Sequence, residues 1–353
     1  MSYRATEEVN GSGSNRFRPE FRWSYPTHTI KFFALTGKPF VLLLLILARA
    51  ATTCPAQLAW KNMDTAFTPL PPSVHVYRSA DSLNGFPFVA YYVSARLKDK
   101  RIQFTAQTGD GGRYTPSQYY QLEQFPLLVV NCTFFSFANN ENLNLVMKDG
   151  KIVAAGVASL KGTGNDSLLY YYPTRGAIGI DRQRRADVAW VFTDASHRKP
   201  YAFEEMPVVA KGEEASPSIY DLKDVEWKWW KMRTAVGGGP VLIYNGKIRI
   251  TNREEQLFPD SEGDHHPRTA MGYTRDGRLI ILAIQGRAPG IAAGATLREE
   301  ARILLDLGCY EALNLDGGGS SCLLVNGKET IKPSDKDGQQ PIPAVFLIRK
   351  KSR

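Results

Sequence analysis

The sequence predicts an α+β fold: a strongly bent mixed or antiparallel sheet built from several hairpins, with two helices packed against it. Two observations carry that expectation. Four segments share one design, an apolar run, Asn-Gly or Asp-Gly, then a second run: 145–156, 241–250, 271–284 and 322–331. Asn-Gly and Asp-Gly supply the positive φ angles that tight hairpin turns demand. The second observation is a pair of well-signalled helices, 115–124 and 297–307.

In the first helix Thr115 caps, Pro116 occupies the first helical position and Gln118 completes a capping box. In the second, Thr296 caps, Glu299 reaches back to it, and Gly308 stops the helix. Its apolar face is Leu297, Ala301, Leu304 and Leu305 at helical spacing. Glu299 and Glu300 read as helix-start residues. After Gly308, CYEALNLD alternates as a strand that delivers Asp316 at its end. GEEASPS (212–218) is the best surface insertion.

Residues 1–50 stand apart. Phe40–Ala48 is an uncharged apolar run of nine, too short for a comfortable helical span. It follows Lys31 and Lys38 and ends in Ala48-Arg49-Ala50, a small-x-small pattern, so it reads as a signal peptide. An uncleaved anchor is the alternative. The expectation is an exported protein, periplasmic or secreted, whose membrane contact runs only through this segment. The same fifty residues hold seven Lys/Arg against three Glu, so they contribute +4 of the formal +9 and leave +5 for the rest. No basic run with interleaved aromatics suggests nucleic acid.

None of the four cysteines forms a CxxC pair, which argues against zinc or thioredoxin-type chemistry. Cys309 and Cys322 are either a disulfide bracketing the intervening motif or free buried thiols. The five histidines are too scattered for a metal phosphatase, apart from His265 and His266. No metal and no cofactor are expected.

Four stretches look built for chemistry. VVNCTFF (129–135) ends a buried strand in Asn131. AVGGGPVLI (235–243) carries one glycine triplet and NLDGGGSS (314–321) another. HHPRTAMGY (265–273) places Arg268 at the start of a strand. Glycine triplets admit a ligand close to the backbone and turn N–H groups toward an anion. Arg268 is a natural fork for phosphate or carboxylate, and Asp316 suits an acid, base or nucleophile. The bland alternative is a tight turn that Asp316 caps by itself. His266 either donates a proton or belongs to a solvated acidic loop. Trp227 and Trp229 share one face of a strand, as core or as a sugar platform. Asn131 and Asn165 sit in glycosylation patterns, but Asn131 is flanked by apolar residues.

RTAMGYTRDGRLIILAIQGR, followed by GATLREEARILLDLGCYEALNLDGGGSSCLLVNG (within 268–327), resembles the phosphodiester glycosidase family. The likeness extends upstream through AVGGGPVLIYNGK and VVNCTFFSF, so it covers about 75–350, with 51–74 as a linker. It implies a hydrolase that frees a sugar from a sugar-1-phosphodiester; a non-catalytic or transferase-like carbohydrate-binding protein of envelope polysaccharide assembly is the rival. Carried over by position, the implied catalytic residues are Asp316 and Arg268; His266 joins them as an expectation from its place two residues before Arg268, not from the resemblance. The implied substrate contacts are Asn131, Gly237, Gly238, Thr269, Arg287, Gly317, Gly318, Gly319, Ser320 and Ser321. Cys132-Thr133 and Gln285 depart from the family pattern, which has two glycines and an aspartate there. A sugar phosphate or glycan is the expected partner.

Overall fold

The computed structural model describes residues 58–351, apart from 195–196, 206–208, 223–225 and 258–261. The expected signal segment and Cys54 lie outside the described residues. Among those described, no helix is long and apolar enough to cross a membrane.

The fold is mostly β, which corrects the α+β expectation. Four sheets of eight, seven, five and three strands account for the architecture, and the described residues hold only two α-helices, Pro116–Leu122 and Leu297–Asp306. Both were legible and both carry their predicted capping boxes. They are too short to form a layer. The stretch between 158 and 237, where no helix pattern is legible, supplies further strands instead.

The eight-stranded sheet runs Lys61–Asn62, Val74–Leu83, Phe86–Arg96, Arg278–Ile284, Arg268–Thr274, Cys309–Asn314, Val241–Tyr244 and Lys247–Ile248. Its neighbours pair antiparallel throughout. The seven-stranded sheet centres on Arg175–Ile180, between Ala186–Phe192 and Thr234–Gly237. The five-stranded sheet inserts Leu128–Asn131 between Leu323–Val325 and Ala344–Lys350.

Three of the four expected hairpins turn on a two-residue loop with both residues at positive φ: Asp149-Gly150, Asn245-Gly246 and Asn326-Gly327. The fourth, Arg268–Thr274 with Arg278–Ile284, uses the longer loop Arg275–Gly277. A fifth, Asn84-Gly85, joins Val74–Leu83 to Phe86–Arg96, the two longest strands; its signal lies in SLNGFPF.

Period-two side-chain placement explains how the apolar run of Arg278–Ile284 is buried on both faces. Leu279, Ile281 and Ala283 enter a central core shared with Ile178, Val188 and Trp190 of the seven-stranded sheet and with Phe104, Val130 and Phe346 of the five-stranded one. Ile280, Leu282 and Ile284 point the other way, onto Leu297, Ala301 and Leu304 of the second helix. The first helix seats Tyr119 against Val129, Leu324 and Leu347. Each helix thus seals an outer face of a sheet.

Cys132, Cys309 and Cys322 are free and buried, so the bracketing disulfide is absent. Among the tryptophans of EWKWWKM the fully buried one is Trp230, not Trp227 or Trp229. Trp227 is 37 % exposed and meets Trp229 edge-on at 5.3 Å.

Candidate active site

Two hairpins are built alike. Arg175–Ile180 pairs with Ala186–Phe192 on one side and with Thr234–Gly237, which leads into Gly237-Gly238-Gly239, on the other. Arg268–Thr274 pairs with Arg278–Ile284 on one side and with Cys309–Asn314, which leads into Gly317-Gly318-Gly319, on the other. Each hairpin opens on an arginine. Both arginines line one cleft of about 760 Å³.

Asp316 lies on the wall of that cleft, two residues beyond its strand. Its N–H donates to the Cys132 carbonyl at 2.8 Å, and its carbonyl accepts from Asn131 Nδ2 at 2.6 Å. Asn131 Oδ1 in turn accepts from Thr269 Oγ1 at 2.9 Å and from the Cys322 N–H at 3.1 Å. Asn131 and Thr269, both buried, therefore sit behind Asp316 and fix its backbone; neither lines the cleft. Burial pushes the Asp316 carboxyl up to about 7, against hydrogen bonds from the Ser320 hydroxyl and the Gly317 N–H that favour the ionised form.

Arg268 is buried, with Nε donating to the Ala295 carbonyl at 2.9 Å and a terminal nitrogen to the Asp264 carbonyl at 3.0 Å. Two neutral acceptors thus fix the guanidinium plane. Near it lies Glu300, fully buried, with neither carboxylate oxygen hydrogen-bonded among the described residues. Burial pushes Glu300 up to about 8, and only the nearby Arg268 charge opposes that shift. Helix-start preference does not account for a carboxyl in that position.

Arg287 and His266 stand at adjacent ends of the same hairpin. An Arg287 terminal nitrogen lies 3.5 Å from His266 Nδ1, so that nitrogen is the acceptor and the imidazole proton sits on Nε2. Burial first, then the Arg268 and Arg287 charges, hold His266 below its ordinary range, which keeps it neutral at pH 7.

The Gly317–Gly319 turn lines the cleft, and packing explains its lack of side chains. A Cβ at Gly317 would stand 2.8 Å from the Pro267 carbonyl oxygen. At Gly318, where φ is +61°, it would stand 3.2 Å from the Arg287 guanidinium. Ser320 also lines the cleft, whereas Ser321 is buried away from it.

Gly237 and Gly238 do not line the cleft. Their triplet stitches two sheets together: Gly238 N–H donates to the Gly176 carbonyl at 3.0 Å, and Gly239 N–H to the Asn314 carbonyl at 2.8 Å. Beside this seam is Glu255, buried, accepting from the Gly176 and Val241 N–H groups at 2.7 Å each, from Trp190 Nε1 at 3.3 Å, and from the Thr251 hydroxyl. Burial raises the Glu255 carboxyl, while the Thr251, Gly176 and Val241 donors and the Arg175 charge oppose the rise.

Several lining residues were not among the expected site residues: Arg175, Asn314, Gln256, Leu257, Asp335 and Gln340. Arg175 was findable, because TRGAIGI repeats the pattern of PRTAMGY. Phe134, Phe135, Phe137 and Leu143 form an apolar wall. The departing residues are structural here. Cys132 is buried with its thiol pushed up to about 12, Thr133 bonds Asn142, and Gln285 accepts from the Lys332 N–H at 3.0 Å.

This geometry defines a class: a β-built cleft in which guanidinium groups surround one partly neutral carboxyl. The profile of the phosphodiester glycosidase family matches residues 209–349, which contain Arg268, Arg287, Asp316 and the Gly317–Gly319 turn. The chain thus resembles that family, as its motifs imply.

Among curated proteins, it is 41% identical over 215 residues to the SPbeta prophage-derived uncharacterized protein YomE of Bacillus subtilis (strain 168), a match covering 58% of this chain and 29% of that one. It is 41% identical over 103 residues to the Bos taurus N-acetylglucosamine-1-phosphodiester alpha-N-acetylglucosaminidase, covering 27% and 19%. The human enzyme is 40% identical over 103 residues, covering 27% and 20%. These matches span less than a third of the curated relatives' own length.

In fold, the catalytic domain of the zebrafish N-acetylglucosamine-1-phosphodiester alpha-N-acetylglucosaminidase, auto-inhibited by its pro-peptide, superposes with a TM-score of 0.54 at 19% identity, covering 83% of this chain and 89% of that one. A hypothetical protein from Synechocystis gives 0.60 at 16% identity, covering 83% and 64%.

Proposed function

We propose that this protein hydrolyses a sugar-1-phosphodiester, releasing the free sugar and leaving the phosphate on its other partner. One observation carries the proposal: Asp316, with its carboxyl near 7, shares a cleft with Arg268 and Arg287. Similarity to N-acetylglucosamine-1-phosphodiester alpha-N-acetylglucosaminidases supports it and makes an α-linked N-acetylglucosamine the first substrate to try.

A phosphodiester leaves readily, so the reaction requires less leaving-group protonation than an ordinary glycoside, whose paired carboxylates perform that step. Charge must be stabilised instead. Arg268, fixed by two backbone carbonyls, and Arg287, resting against the Gly318 backbone, hold the phosphate as negative charge builds on it. Asp316 takes the proton from the attacking water at the anomeric carbon, a role that suits a carboxyl with its pKa near the working pH. His266, neutral and bonded to Arg287, orients that guanidinium. Export through residues 1–50 is part of the same proposal and rests on the apolar run 40–48 and its small-x-small end.

The test follows free sugar by anomer-resolved NMR from the methyl ester of α-N-acetylglucosamine 1-phosphate and from UDP-N-acetylglucosamine. Release that Asp316→Asn and Arg268→Ala both abolish supports the assignment. Folded protein that releases nothing from these diesters rules out the reaction as stated and favours a carbohydrate-binding role.

A further inference from the structure

Two residues on the wall of this cleft each carry a buried polar atom with no partner among the described residues: Arg175 Nε and Asn314 Oδ1. Buried donors and acceptors are nearly always paired, so each orphan calls for an explanation. Their placement is not accidental. Asn314 Nδ2 donates to the Gly239 carbonyl at 2.6 Å, which fixes the amide orientation and leaves Oδ1 as its unmet acceptor. Arg175 is anchored through its neighbour: the Gly176 N–H donates to Glu255 Oε2 at 2.7 Å, and the Gly176 carbonyl accepts from Gly238. A Cβ on Gly176 would collide with Leu313, the residue before Asn314. The glycine seam thus brings the residues that carry one unmet donor and one unmet acceptor to the wall of one cleft, with Glu255 compensating the Arg175 charge.

On the reading of the cleft proposed above, we infer that Arg175 Nε and Asn314 Oδ1 are the pair that recognises the sugar, gripping one substituent able both to accept and to donate a hydrogen bond. A phosphodiester offers acceptors only, so it cannot satisfy Asn314 Oδ1. A ring hydroxyl satisfies both atoms, and so does an acetamido group, its carbonyl accepting from Arg175 and its N–H donating to Asn314. The pair is therefore a specificity device of the sugar subsite, separate from the arginines assigned to phosphate.

The experiment compares methyl α-glycosyl phosphates of glucose with its 2-, 3-, 4- and 6-deoxy and 2-acetamido analogues, on wild type, Arg175→Met and Arg175→Lys. Wild type should lose roughly 10- to 100-fold in kcat/KM for one deoxy analogue, the loss expected when a buried pair goes unmet. R175M should show that loss on the parent sugar, mainly in KM, and no further loss on that analogue; R175K should recover part of it. A uniform R175M defect across all analogues, or a flat wild-type series, overturns the pair and leaves hydrolysis standing. If R175M does not fold, the wild-type series alone decides. If no sugar is released at all, titration with methyl α-N-acetylglucosaminide separates the ideas: saturable NMR shifts lost in R175M keep the pair and reject hydrolysis, and no shifts reject both.

Discussion

Asn131 Nδ2 holds the carbonyl of Asp316 at 2.6 Å from a different sheet. The same side chain accepts from Thr269 and Cys322 through its other end. One buried amide thereby ties Thr269 and Cys322 to Asp316, the residue proposed to activate water. Asn131→Ala leaves two buried donors and one acceptor unmet, which should cost about 1–3 kcal/mol of stability. Because a small shift of Asp316 misaligns the reacting atoms, kcat should fall by roughly 10- to 100-fold with a lesser change in KM. Denaturant unfolding and steady-state kinetics on the same preparation check both numbers.

Asp316 links activity to acid–base behaviour. Its carboxyl is raised from an ordinary 3.8 to about 7, so the folded protein binds a proton that the unfolded chain has already released between those values. Stability therefore falls as pH rises from about 4 to 7, and stays low above. Asp316→Asn removes this penalty and should gain on the order of 1–4 kcal/mol at pH 8 while abolishing turnover. Unfolding curves at pH 5 and pH 8 test the sign: a variant less stable than wild type at pH 8 contradicts it. The wild-type kcat/KM should climb through pH 7 as the carboxyl ionises.

Glu300 is buried near Arg268, the residue proposed to hold phosphate. Raised to about 8, it is mostly protonated at neutral pH and ionises only as pH approaches that value, where it stabilises the neighbouring Arg268 charge. Glu300→Gln keeps the shape and removes the ionisation. It should leave kcat/KM within about threefold at pH 6.5 and flatten the stability loss between about pH 4.5 and 8. Glu300→Leu, which is apolar, should also fold, since the carboxylate oxygens have no hydrogen bonds to lose among the described residues. A pH–stability profile of both variants is the measurement.

Gly318→Ala probes the turn without touching Asp316. The residue sits at φ +61°, and its Cβ would press on the Arg287 guanidinium at 3.2 Å. Backbone strain should cost about 1 kcal/mol, and the displaced Arg287 should raise KM several-fold with a smaller effect on kcat. Gly317→Ala, whose Cβ meets the Pro267 carbonyl at 2.8 Å, should be worse for folding. Thermal melts and Michaelis parameters for the pair separate a binding effect from a packing one.

Local signals in the sequence were strong where chemistry acts over a few residues. Both capping boxes, four turns and the Asp316 strand are legible because Thr-Pro, Thr-x-x-Glu and Asn-Gly fix backbone within their own span. The class of the fold was not, since short strands such as Tyr201–Phe203 and Leu160–Lys161 carry no alternation long enough to recognise. Site residues divide along the same line. Asp316, Arg268, His266, Arg287, Gly317–Gly319 and Ser320 cluster as expected. Asn131, Gly237, Gly238, Thr269 and Ser321 lie behind or away from the cleft, because a motif reveals that a residue is constrained but not which side of the backbone it serves. Arg175 and Asn314 gain their meaning only when the seam between two sheets is assembled.

The insertion of Leu128–Asn131 between Leu323–Val325 and Ala344–Lys350 means that the 209–349 stretch cannot be excised as a working catalyst. It would lack Asn131, Arg175 and the Phe134 wall, and would expose the flanks of two strands that now share a neighbour. The same interleaving favours reconstitution. A chain severed in the exposed 213–216 loop yields two pieces, neither with a complete cleft, whose mutual recognition is written into strand pairing. Co-expressed halves should reassemble, and activity would then report that they have met.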